Sequence, residues 1–120
     1  MSLGVSSEAV PGGWLVEVSG EVDLHTAPQL QAVLTGLVEP ARPGESVVVD
    51  LTGVAFMDST GLGELVAAHK ALQRRGDRLH LAVSNARVTR LLSLSGLDGV
   101  LDVHPSQPEA LAAISASEPS

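Results

Sequence analysis

Val47-Val48-Val49-Asp50-Leu51, followed closely by Phe56-Met57-Asp58-Ser59-Thr60-Gly61-Leu62-Gly63, is the stretch from which the rest of the chain can be read. Its first part is β-branched and uninterrupted, the pattern of a strand covered on both faces or lying centrally in a sheet. Its second part opens an amphipathic helix near Ser59, with Leu62, Leu65, Val66, His69 and Leu72 on one side and Glu64, Lys70 and Arg74 mostly elsewhere. A hydroxyl therefore stands where a buried strand turns into a helix. Free backbone N–H groups and the helix dipole favour negative charge there, so a serine at that place can gain and lose a phosphate. A plainer reading is open on composition alone, because Asp, Ser and Thr are the commonest helix caps.

Working outward, Leu3 to Val10 and Trp14 to Ser19 are extended stretches joined by Pro11-Gly12-Gly13, which predicts an N-terminal β-hairpin. Thr26 can cap a helix with Pro28 at its second position and Leu30, Val33, Leu34, Leu37 and Val38 on one face, ended by Glu39-Pro40. Arg42-Pro43-Gly44 reads as a loop, and Gly76-Asp77 stops the helix that begins near Ser59. Leu79 to Val83 is a further strand; Ser84 or Asn85 caps a helix carrying Val88, Leu91 and Leu92, and Gly96-Leu97 closes it. Val100 to Val103 is a short strand, and Pro108 to Ala116 a last helix with Leu111 and Ile114 inward, before a frayed tail at 117–120. The order β-β-α-β-α-β-α-β-α predicts an α/β fold: a mixed, mostly parallel sheet of four or five strands with about four helices and right-handed crossovers. At 120 residues the chain suits a single domain with a core spanning about 3–116.

The run from Asp50 through Gly63 strongly resembles the phosphoacceptor loop of bacterial anti-sigma factor antagonists of the STAS domain family. The likeness extends from Gly20-Glu21-Val22-Asp23 to Ser95-Gly96-Leu97. The resemblance implies that Ser59 takes the phosphate, with Thr60 as fallback. It also implies that Asp23 lies near the acceptor and takes part in partner contact; read from the residues alone, Asp23 is equally a solvated loop acid or an extra cap. The expected partner surface is the rim formed by Asp23, Phe56, Met57, Asp58, Ser59 and Thr60. Phe56, the only Phe, can plug the core or anchor a partner. The resemblance further implies an anti-sigma factor serine kinase as partner, binding of the unphosphorylated form that releases a sigma factor, and a phosphatase that restores it. ATP and Mg²⁺ would come from the kinase, since no Gly-x-x-x-x-Gly-Lys-Ser/Thr or Gly-x-Gly-x-x-Gly stretch is present. The alternative is a phosphorylation-independent STAS scaffold in a signalling complex; a STAS domain split from a membrane transporter is a third reading.

Composition narrows the choice. Seven basic against fourteen acidic residues give a net charge of −7, and aromatics are almost absent, so neither phosphate neutralisation nor base stacking favours nucleic acid. No cysteine exists to make a disulfide, thiolate site or thiol nucleophile. Histidines 25, 69, 80 and 104 lack metal-ligand spacing, and no metal or resident cofactor is expected. Asp23, His25 and Ser59 are the residue types of a hydrolase triad, but Met-Asp-Ser-Thr-Gly is not the Gly-x-Ser-x-Gly elbow, so no enzyme activity is expected. The first residues lack the features of a signal peptide, and no run of ~18 apolar residues occurs, which predicts a cytoplasmic chain without a membrane partner.

Overall fold

The computed structural model describes residues 3–39 and 44–115. The elements are β1 (Leu3–Val10), β2 (Gly13–Val22), α1 (Ala27–Leu37), β3 (Ser46–Met57), α2 (Ser59–Arg74), β4 (Leu79–Ala82), α3 (Ala86–Leu94), a 3-10 turn (Leu97–Gly99), β5 (Asp102–His104) and α4 (Gln107–Ser115). They build one five-stranded sheet in the order β1-β2-β3-β4-β5, with β1 antiparallel to β2 and the later pairs parallel. Pro40 at the expected helix end, Arg42-Pro43 of the expected loop, Ala116 and the tail 117–120 lie outside the described residues.

Topology decides where the helices go. Each step from β2 to β5 advances one strand in the same direction, so three right-handed crossovers must all place their helices on one face. Leu30 and Leu34 of α1, Leu65 and Leu72 of α2, and Val88 and Leu92 of α3 accordingly share one core with Val16, Val47, Val49, Leu79 and Leu81 of the strands. The side chains one step along the strands, Leu15, Val48 and Ala82, point to the other face and cluster with Ala110 and Ile114 of α4, with Val10 and Leu111 at the edge. Burying each large aliphatic side chain contributes about 1.5–3 kcal/mol, so the three-helix face carries most of the fold's apolar stabilisation.

Several elements differ from the sequence expectation. β3 runs to Met57 instead of stopping at Leu51, because two register shifts against β2, near Gly53 and before Phe56, absorb extra residues without ending the pairing. Val66, expected in the core, is half-buried; the buried stripe of α2 runs Leu62, Leu65, Ala68, Leu72. β5 begins at Asp102: Leu97–Gly99 wind a 3-10 turn that leaves Val100 exposed, and Leu101 is buried before pairing starts. Thr26 stands at the N-cap of α1, yet its hydroxyl makes no capping bond, because it is turned into the preceding loop. Gly96 has φ 77°, the left-handed conformation expected of a helix-ending glycine.

Candidate functional site

The carboxyl ends of β2 and β3 lie side by side, Val22 opposite Met57, and the Asp58 N–H donates to the Val22 carbonyl at 3.1 Å. The β2–α1 loop, with Asp23, and the start of α2, with Ser59, are thus neighbours at the strand ends where open α/β sheets place their sites. Ser59 is the first residue of α2 and is exposed; Thr60 is partly covered. Asp58 is the cap. Its backbone is extended and its Oδ1 accepts from the N–H of Thr60 at 2.9 Å and of Gly61 at 3.3 Å. Met57, expected on the rim, is buried instead: Leu51, Val54 and Met57 face the crossover helices, so Met57 is the floor beneath the helix start. Gly61 is needed above that floor, since a Cβ there would lie 2.7 Å from Val22 Cγ1 and 2.8 Å from Met57 Cγ.

Asp23 organises its own loop. Its Oδ1 accepts from the N–H groups of His25 at 2.9 Å and Thr26 at 3.0 Å. The Thr26 hydroxyl accepts from the Asp23 N–H and donates to the Glu21 carbonyl at 2.8 Å. The Thr26 N–H above all holds the Asp23 carboxyl below its ordinary pKa; desolvation, the next-largest influence, opposes it, and the His25 N–H and the Thr26 hydroxyl assist. It is an anion under all physiological conditions. Among the described residues no hydrogen bond joins the His25 ring to Asp23 or Ser59; His25 meets Asp23 through its backbone N–H.

Phe56 is 42% exposed and Leu24, which the sequence reading passed over, 69% exposed. An apolar side chain between Asp23 and His25, at a position no helix or strand needs to bury, was the available signal. Asn85 adds a third element: its side chain caps α3 through the Arg87 N–H at 2.7 Å and donates to the Val54 carbonyl at 3.1 Å, fastening the α3 start beside the end of β3. The carboxyl ends of β2 and β3 thus carry Ser59, the carboxylates of Asp23 and Asp58, and two exposed apolar residues, Leu24 in the β2–α1 loop and Phe56 near the end of β3.

A sheet with all its crossover helices on one face and a serine at the start of the second helix defines a class of small α/β domains. The chain belongs to the STAS domain family, whose profile matches residues 5–110. It is similar to an anti-sigma F factor antagonist of Paenibacillus polymyxa, 31% identical over 111 residues that cover 92% of this chain and 94% of the relative. It is similar also to an anti-sigma-B factor antagonist of Staphylococcus aureus, 33% identical over 104 residues, or 87% and 94% of the two chains. A crystal structure of an anti-sigma factor antagonist from Mycobacterium paratuberculosis superposes with a TM-score of 0.85 at 31% identity, covering 94% of each chain.

Proposed function

We propose that this chain is an anti-sigma factor antagonist whose unphosphorylated form binds an anti-sigma factor kinase, freeing a sigma factor, and whose phosphorylation at Ser59 ends that association. The observation that carries the reading is the exposed Ser59 hydroxyl at the first position of α2, beside a cap that is already made. The kinase supplies ATP, Mg²⁺ and the base that takes the hydroxyl proton, and a phosphatase returns the serine. Asp23, Phe56, Asp58 and Thr60, with Leu24 added, form the docking rim; Met57 supports it from below.

The occupied cap sharpens the switch. Asp58 has taken the N–H groups of Thr60 and Gly61, so a phosphate on Ser59 gains little from the helix end and adds about −1.5 to −2 charge next to a carboxylate. The fold tolerates this at the surface. An interface does not, since burying a dianion without a cationic partner costs several kcal/mol, and each ~1.4 kcal/mol is tenfold in affinity. Incubation with the cognate kinase and ATP, followed by intact-mass analysis and site mapping, tests the reading. One phosphate on wild type and none on Ser59→Ala is expected, with partner affinity lost in the phosphorylated form and in Ser59→Asp. An unmodified chain that binds regardless of Ser59 would instead support the scaffold alternative.

A further inference from the structure

β5 is three residues long and is held by the sheet on one side only, through β4. So short an edge strand has few ladder hydrogen bonds, and side chains must supply part of its attachment. Leu79 and Leu81 of β4 face the crossover helices, so His80 between them faces the side that α4 covers. In the register of the pair, His80 stands opposite Asp102 and Ala82 opposite His104, which brings His80, Asp102 and His104 together on that face. Nδ1 of His80 lies 3.0 Å from Nε2 of His104, with the ring centres 5.2 Å apart. Rings whose nitrogens come this close while their centres stay this far apart meet edge to edge, nitrogen to nitrogen.

Two imidazole nitrogens at hydrogen-bond distance need one proton between them, one ring donating and the other accepting. A metal ion is the other thing that could hold such nitrogens. It would require each of them about 2.0–2.1 Å from a common point and further ligands. Here each nitrogen is aimed at the other, and the nearest carboxylate, Asp102, is engaged by Arg78 through two bonds of 2.8 and 3.0 Å. The geometry is that of a shared proton.

We infer that His80 and His104 form a proton-counting latch that fastens β5 to the sheet, closed while the pair carries no more than one extra proton and opened by the second. In the neutral pair one N–H bridges the rings and the other points outward. A first added proton goes to an outward nitrogen, leaves the bridge in place and strengthens it by charge. After a second, every ring nitrogen carries hydrogen, two N–H groups confront each other between two cations, and the bridge must break. The surroundings resist that step. His80 is 8% exposed, and burial is the chief cause that holds its pKa below the ordinary histidine value; Asp102 opposes the shift, and His104 and Arg78 add to it. From β3 the residue opposite His80 is the apolar Val48; Asp50, further along the same face, and Glu17 of β2 beside it both accept from Gln107 in the first turn of α4, which also carries Glu109. Only Pro105 and Ser106 separate His104 from α4, so release of β5 also loosens the helix that covers this face.

The test is an NMR titration of the full chain from about pH 8 to about pH 5, following the imidazole nitrogens together with exchange of the Val83 amide, which donates to the His104 carbonyl at 2.9 Å. Two coupled steps separated by about tenfold or more in proton concentration are expected, with the Val83 protection factor falling about tenfold across the second only. His104→Asn and His80→Gln each remove the second charge and should leave Val83 protection independent of pH; if neither variant folds, the wild-type titration alone decides. Two independent titrations with unchanged Val83 protection would overturn the latch. So would stoichiometric binding of zinc between the two rings.

Discussion

Asp58 Oδ1 accepts hydrogen bonds from the backbone N–H of Thr60 at 2.9 Å and, two bonds being shared by one oxygen, from Gly61 at 3.3 Å. The anion-binding end of α2 is thus filled by the residue next to Ser59. Asp58→Ala leaves these N–H groups to water and should lower unfolding free energy by about 0.5–2 kcal/mol in urea titrations at neutral pH. Asp58→Asn keeps an acceptor oxygen and should fall within a few tenths of wild type. Equal stability of all three would mean that the cap contributes nothing.

Gly61 and Gly63 lie one turn-half apart in α2 and should respond oppositely to a methyl group. At Gly61 the new Cβ would press on Val22 and Met57, and overpacking of this kind costs about 1–3 kcal/mol, more than the ~1 kcal/mol gained from helix propensity. At Gly63, exposed and with nothing within 4 Å, only the propensity remains. Gly61→Ala should lower the thermal midpoint and Gly63→Ala raise it; a shared direction would contradict the packing drawn for the helix start.

What could be read from sequence follows from what each residue's role depends on. Val47 to Leu51 and the Leu62, Leu65, Leu72 spacing report burial directly, so a covered strand and the inward face of α2 were legible. Whether Met57 lay above or below the helix start was not, because that depends on two register shifts whose cause is pairing with β2. Asp23 was legible as a loop acid. Its hold on Thr26, which turns the Thr26 hydroxyl away from α1, depends on the four-residue loop between β2 and α1, which periodicity does not describe. The His80–His104 contact depends on the register of two parallel strands 24 positions apart and has no local signal.

Arg75, just after α2, is a staple between elements distant in sequence. Its guanidinium donates to Asp77 at 2.7 Å, to the Glu45 carbonyl at 2.6 Å and to the Glu39 carbonyl, and the side chains of Arg75 and Asp77 are 5% and 9% exposed. Arg75→Ala leaves the buried Asp77 carboxylate with the Gly44 N–H at 3.0 Å but no cation, and removing one partner of a buried pair costs about 3–5 kcal/mol. Arg75→Lys should recover only part of that, since an ammonium lacks the planar fork. Chemical denaturation of the two variants measures both; a loss below about 1 kcal/mol for Arg75→Ala would show the pair to be solvated like a surface bridge.

Leu24 and Phe56 test the docking rim apart from the phosphate. Their exposure means that Leu24→Ser should leave stability within about 0.5 kcal/mol, as surface substitutions do. If they anchor the kinase, Leu24→Ser and Phe56→Ala should each weaken its binding by about tenfold or more while Ser59 remains a site of phosphate transfer at high kinase concentration. Unchanged affinity in calorimetry would move the interface elsewhere.

The Arg78–Asp102 pair sets the last expectation, one of acid stability. The hydrogen bonds from Arg78 are the first cause that holds the Asp102 carboxyl below its ordinary pKa, with desolvation opposing them and the charges of His80, Arg78 and His104 assisting. The folded chain therefore binds that proton less readily than the unfolded chain. The resulting stabilisation is present above the ordinary carboxylate pKa and is lost as pH falls through the lowered one, a window below about pH 4. Because the Arg78 side chain is 67% exposed, the effect is that of a surface pair, about 0–1 kcal/mol. Arg78→Gln should move the acid-unfolding midpoint to slightly higher pH at low salt and hardly at all in about 1 M salt, where screening acts within about 3 Å. An identical shift at both salt concentrations would assign the effect to lost packing of the arginine stem.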